Sequence, residues 1–590
     1  MSGKSIELRE IIGANSIAES ISYKYDSWNQ KRQKKESEWR ELRNYIFATD
    51  TTTTTNSQLP WKNKTTIPKI CQLRDNLHAN YMSALFPNDK WFKWEAATKD
   101  DALYGKRKAI EAYMAHKLRD GEFKKVVSRL LYDYIDYGNV IADVEFVKEV
   151  SYDPATGDEI VGFVGPRAVR VSPLDIVFNP TAASFKDTPK ITRYIKSIGE
   201  LKRDAMENPE MGYNMEIIQK AEEARSRTLS YAPADIAKSD GYVMDGFDTI
   251  HDYYESGYIE ILEFEGDISD EEGNFLPNQI VTVIDRAHVI RMVTNPSWLG
   301  RDSKCHAPWR MRPDNLYGMG PLDNLVGMQY RIDHLENIKA DLFDMIAHPP
   351  LKIKGNVEPF DWEPFVQIDV GDDGDVEVLR IDGTALQADT QIAILESKME
   401  EMAGAPKQAM GIRTQGEKTA YEVQSLENAA SRIFQEKIRQ FEIFVIEPLL
   451  NNMLEIARRN MDGSDIIRIM DDDIGVLEFM TLTKDDITGQ GKLYPRGATH
   501  FAARNQLIQN VTGVFSSGIA QFIAPHVSAK AIARMVEEAF GLERFGIVQD
   551  NVAVVEQAET QQMVQTIQRQ LQSQDMIGPA EMGDMPPEGM

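Results

Sequence analysis

LYGMGPLDNLVGMQYRIDHLENIKADLFDMIAHPPLKIKG, residues 316–355, decides how the rest of the chain is read. Its middle carries Leu322, Leu325, Ile332, Leu335, Ile338, Leu342 and Ile346, the spacing of one face of a helix. Pro349 and Pro350 stop that helix, because a proline has no N–H for the helical ladder and its ring clashes with the preceding turn. Residues 351–386 read as short strands with an acidic turn, VGDDGD. A second helix follows, with Ile392, Leu395, Met399 and Met402 on one stripe. Two helices of modest length around a small acidic β-module predict a hairpin-like projection. Each apolar stripe needs a partner, and neighbouring copies of the chain can supply it.

Downstream, AGAPKQAMGIRTQGEKT (403–419) holds Gly404, Pro406, Gly411 and Gly416 and reads as a loop. A long helix is expected from about Thr419, with Val423, Leu426, Ala430, Ile433, Ile438, Phe441 and Val445 on its stripe and a kink at Pro448. Strands and turns are expected over 465–495 and helices over about 501–545. A Gln-rich helix is expected over about 550–574, followed by a disordered tail.

Upstream, helices are expected at 26–47, 68–85, 101–118 and 121–137, with a threonine-rich loop between the first two. Residues 140–150 and 160–172 alternate like the strands of a hairpin. The stretch 195–245 reads as helical and then irregular, and strands return at 257–265, 279–286 and 288–293. The class is α+β rather than alternating βαβ.

The chain has 590 residues, 42% hydrophobic and 27% charged, which fits a folded protein of more than one domain. No apolar run is long enough to cross a membrane, and the N-terminal residues carry no secretory pattern, so no membrane association is expected. Only Cys71 and Cys305 are present, a usage that points to a reducing compartment. The net charge of −26 argues against tight duplex binding, yet an acidic wall suits DNA that must slide past.

Catalytic and ligand-binding patterns fail one by one. The loop from Gly411 to Gly416 approaches a phosphate-binding loop, but Glu417 stands where that motif needs lysine. Asp369, Asp372, Asp373, Asp375 and Glu377 invite a calcium reading, but Gly371 and Arg380 occupy positions that need ligands. The nine histidines form no zinc pattern, Tyr317 to Gly320 lacks a third glycine, and no nucleophile elbow is present. No cofactor, metal or catalytic residue is expected.

A resemblance rests on three ordered segments. Tyr317, Gly318, Gly320 and Pro321 precede a helix that ends at Ala347, Pro349 and Pro350. Thr419, Ala420, Glu422 and Val423 open the later helix. Upstream, SALFPNDKWFKWEA (83–96) ends a helix at a Leu-Phe-Pro turn before a Trp-Phe pair. Together they resemble the portal, or head-to-tail connector, proteins of short-tailed double-stranded DNA bacteriophages, over about residues 39–460. The resemblance implies a portal fold of wing, stem, clip and crown regions and a twelve-subunit ring at one capsid vertex. On that plan 1–314 and 462–495 form the wing, 315–347 and 388–404 the stem, and 348–387 the clip. Residues 405–418 form a tunnel loop, 419–461 a long kinked helix, 496–549 the crown, and 550–590 a barrel helix and tail. Lys407, Arg413 and Lys418 become the loop cations that meet DNA, and Lys339 and Lys398 candidates for the stem channel. The implied partners are double-stranded DNA, terminase, major capsid and scaffolding proteins, and tail adaptors. The implied location is the virion, with assembly in the host cytoplasm. The other classes weighed are a different virion or adaptor protein and a nucleotide-driven motor enzyme.

Overall fold

Helix α1, Ala14–Phe47, owes its length to a stripe that stays apolar or internally satisfied for nine turns. Ala18, Ile21 and Tyr25 bury against one core, and Trp39, Leu42 and Ile46 bury further along the same face. Between them Arg32 is fully buried. Its guanidinium donates to the carbonyls of Pro173 at 2.7 Å, Ile176 at 2.7 Å and Leu174 at 2.9 Å, and to Asn29 Oδ1 at 2.9 Å. A buried charge persists only with partners of this kind, and Glu36 at 3.7 Å adds an opposite charge. The helix begins twelve residues before the expected start because its first turns are polar outside the Ala18, Ile21, Tyr25 stripe.

This computed structural model describes residues 14–47, 62–87, 91–98, 104–152, 159–207, 212–223, 258–269, 275–300, 302–361, 367–379, 387–403, 433–461, 463–470 and 477–497. The chain divides into Met1–Ala498 and Thr499–Met590, and the second unit lies outside the described residues.

Within the first unit, α2 (Lys69–Leu85) and α4 (Phe123–Asp136) pack together through Leu73, Leu77 and Tyr81 against Val127, Leu130 and Tyr134, with α3 (Tyr104–Asp120) alongside. Strand β1 (Phe92–Ala96) follows α2. Strands β2 (Asn139–Tyr152) and β3 (Glu159–Val171) form the expected hairpin.

Strands β4 (Ile176–Phe178), β5 (Lys190–Ser197), β6 (Tyr258–Ser269), β7 (Phe275–Ile284) and β8 (His288–Thr294) make an antiparallel sheet in sequence order. Residues 195–197, read as helical, are strand. The helices of that stretch are α5 (Ile198–Glu207) and α6 (Met215–Glu223).

Strand β9 (Cys305–Pro308) pairs with β2, and β10 (Arg310–Arg312) pairs with β11 (Asn315–Met319). Next come α7 (Val326–Ala347), β12 (Leu351–Lys354), β13 (Asp375–Val378) and α8 (Asp389–Ala403). From 433 a helix passes through a π-turn, Glu442–Ile446, into α9 (Glu447–Asn460). Strands β14 (Ser464–Met470) and β15 (Leu477–Thr483) pair, and after α10 (Lys484–Ile487) strand β16 (Gly491–Pro495) returns to β1. The fold is α+β.

The Tyr-Gly-Met-Gly segment has a packing cause. The main chain at Gly138, in the left-handed region at φ 63°, lies against it. A Cβ on Gly318 would stand 2.5 Å from Pro308 Cβ and 2.9 Å from the Gly138 carbonyl, and one on Gly138 would stand 2.1 Å from Gly320 N. Asn139 Oδ1 accepts the Gly318 N–H at 2.8 Å, and Asp323 Oδ2 accepts the Gly320 N–H at 3.1 Å. The segment thus seats the start of α7 on the sheet that β2 heads.

Candidate assembly surface

Helices α7 and α8 pack on each other and lead into and out of the two-stranded β12–β13 ribbon, as the paired-helix reading requires. Lys339 on α7 is held by Asp389 at 2.8 Å and Glu336 at 2.7 Å, so it ties α7 to the first turn of α8. Those carboxylates keep its ammonium above the ordinary lysine value, the bond to Asp389 first among them. Lys398 is exposed on α8. Lys407, Arg413 and Lys418, with the whole 405–418 loop, lie outside the described residues, as do the opening of the 419–461 helix and the Gln-rich 550–574 segment. Pro448 sits in the first turn of α9, directly after the π-turn.

The rest of the chain buries the apolar stripe of α7 only in part: Leu322, Leu325 and Ile332 are buried at its start, and exposure grows toward its end. The buried positions within α7 are Gln329, Ile332, Asp333 and Asn337. Leu335, Ile338 and Leu342 are half-buried, while Phe343 is 56% exposed and Ile346 45%. On α8, Ile394 is 44% and Met402 43% exposed, and Ile353, Val378 and Leu379 at the ribbon are exposed as well.

The buried polar stripe was missed in the sequence, although it repeats every four residues as Gln329, Asp333, Asn337 and Asp341. Each side chain binds the main chain of residues 62–70. Asp341 takes the Lys62 N–H at 3.0 Å and the Asn63 N–H at 2.8 Å. Asn337 takes the Thr65 N–H at 2.8 Å and donates to the Thr65 carbonyl at 3.0 Å. Asp333 takes the Ile67 N–H at 3.1 Å. Gln329 donates to the Ile67 carbonyl and takes the Ile70 N–H at 3.3 Å. Just beyond, Lys69 and Glu400 form a buried pair at 2.8 Å that joins α2 to α8.

The acidic ribbon is a solvated hairpin. Asp369, Asp372, Asp373, Asp375 and Glu377 are exposed, and Glu377 pairs with Lys352 at 3.1 Å. Among the described residues no three His, Cys, Asp or Glu side chains gather as a metal site, and no helix is long and apolar enough to cross a membrane. Cys71 and Cys305 are unpaired thiols. Burial pushes the Cys305 thiol well above its ordinary range, so it remains an inert packing group. A cleft of about 300 Å³ beside α1 is lined by arginines and aspartates that largely answer one another. Arg74 grips Asp136 at 2.7 and 2.8 Å, and Arg170 grips Asp133 in the same two-pronged way. Burial raises Asp133 to about 6 against the pull of Arg170.

Residues 18–152 match the model of a family described as bacteriophage head to tail connecting protein. The match runs from α1 through α4 and the whole of β2. It includes the 83–96 segment, while the 317–350 and 419–423 segments stand outside it. No curated protein matches the chain. This match agrees with the portal or connector resemblance read from the sequence and supports a phage head-to-tail connector.

Proposed function

We propose that the chain is one subunit of a closed portal ring at one capsid vertex, the channel for DNA packaging and ejection. The observation that carries this reading is the exposed apolar surface of α7 and α8, centred on Phe343, Ile346, Ile394 and Met402. A helix pair that leaves such residues in water gains by burying them against the next copy. A heterologous contact of that kind repeats around an axis and gives a ring where the rotation closes. Twelve copies follow from the portal resemblance. The net charge of −26 per subunit favours a lining that repels phosphate and lets DNA slide. Lys407, Arg413 and Lys418 then supply weak, screened contacts that centre or hold DNA without gripping it. Terminase during packaging and tail adaptors afterwards are the partners that such a ring serves.

The experiment has two arms. Light scattering on the purified chain is expected to give a mass near twelve times 66.9 kDa. Phage carrying Ala at Lys407, Arg413 and Lys418 are expected to form rings yet retain less DNA per head. A stable monomer at micromolar concentration across a range of salt contradicts the ring, and unchanged DNA per head contradicts the loop assignment alone.

A further inference from the structure

We propose that residues 62–67 are a latch: an extended segment docked by its main chain onto the period-four polar stripe of α7, and loosened when Asp333 ionises. The geometry begins with a match of two repeats. Four residues of α-helix rise about 6.0 Å, and two residues of extended chain advance about 6.6 Å. A side chain at every fourth position of α7 therefore meets every second N–H of an antiparallel extended chain. The observed register is Asp341 to Asn63, Asn337 to Thr65 and Asp333 to Ile67. Asn337 makes both bonds of a β-bridge with Thr65, with its amide standing in for a neighbouring strand. The stripe thus treats α7 as a strand edge and reads mainly main chain, with the Asn63 side chain adding a bond to Asp341 at 2.8 Å and one to Asp344 at 2.9 Å. The Thr65 side chain is itself exposed.

Three of the four rungs suit their burial and one does not. Gln329 and Asn337 are neutral amides that donate and accept, and Asp341 is only half-buried. Asp333 is a fully buried carboxyl whose Oδ1 accepts from Ile67 N–H and from Gln329 Nε2 at 2.9 Å. Its Oδ2 is buried with no partner among the described residues. Among the described residues no cation stands beside it. On the elements packed around it, Lys69 of α2 is spent on Glu400 of α8, and Lys339 is spent on Glu336 and Asp389. Lys62 and Lys64 of the segment and Arg331 and His334 of α7 make no ion pair with it, and His334 is itself biased toward the neutral form by burial.

Burial accordingly raises the Asp333 carboxyl from 3.8 to about 7. The sign follows from linkage. The docked state binds the proton more tightly than the released state, so docking is strongest below the released value near 3.8. It weakens steadily as pH rises toward 7 and stays weak above that.

Hydrogen exchange by mass spectrometry on the full-length protein tests this, read on peptides covering 62–70 after correction for the intrinsic pH dependence of exchange. Opening of the segment is expected to rise at least tenfold between about pH 5 and about pH 7.5, the window that the two carboxyl values set. Asp333→Asn keeps the acceptor and removes the charge, and should reduce the rise to less than threefold. Thr65→Pro deletes the N–H that Asn337 takes, and should bring 62–67 close to the exchange of a free peptide at both pH values. Thr65→Ala should change nothing. Unaltered protection over Phe123–Asp136 serves as the fold control, and Asn337→Ala replaces Thr65→Pro if that variant fails the control. Equal pH dependence in the wild type and Asp333→Asn overturns the ionisation step. Loosening by Thr65→Ala as large as by Thr65→Pro overturns main-chain docking.

Discussion

Lys69 and Glu400 meet at 2.8 Å with side chains 8% and 5% exposed. Such a pair contributes little net stability over an apolar substitute, yet losing one member strands the other charge out of water. Lys69→Met or Glu400→Leu alone is therefore expected to cost about 3–5 kcal/mol, and the double replacement much less than the sum. Thermal unfolding of the three variants checks this, and additive single losses would contradict it. The residue scale also marks where sequence reading stops. Gly318 and Gly320 were legible as a motif, but their cause, the approach of Gly138 from 180 residues earlier, lies in tertiary packing. Arg32 has no sequence signature that separates it from its solvated neighbours Lys31 and Lys34. Its grip on three carbonyls of 173–176 appears only once α1 crosses that turn.

At the scale of elements, periodicity found the long helices and the 140–172 hairpin because each buries one regular face. It missed β4 and β9–β11, which are three to five residues long and too short to show a period. It placed the apolar stripe of α7 correctly but not its surroundings. The chain also buries the polar face, since amides and carboxylates can satisfy the main chain of 62–70. The end of the apolar face, at Phe343 and Ile346, stays exposed. Phe343→Asp combined with Ile346→Asp should therefore leave the helix content unchanged by circular dichroism while lowering the assembled mass to that of a monomer or small oligomer. Loss of the fold instead would show that these side chains pack within their own subunit. Assembly at full size would show that the surface lies outside the contact.

For the whole molecule, the N-terminal layer carries the connector family match, and the α7–ribbon–α8 projection carries the unsatisfied apolar surface. The Lys69–Glu400 pair, the segment clasped by α7 and the seat of the Tyr-Gly-Met-Gly segment on Gly138 are among the contacts that join them. The acidic balance of the chain fits a channel wall and fits poorly a clamp that closes on phosphate. The most direct measurement is a negative-stain image of the purified full-length chain. The account predicts closed rings of uniform subunit number with an axial hole wide enough for duplex DNA; single particles, open filaments or closed particles without a hole would contradict it.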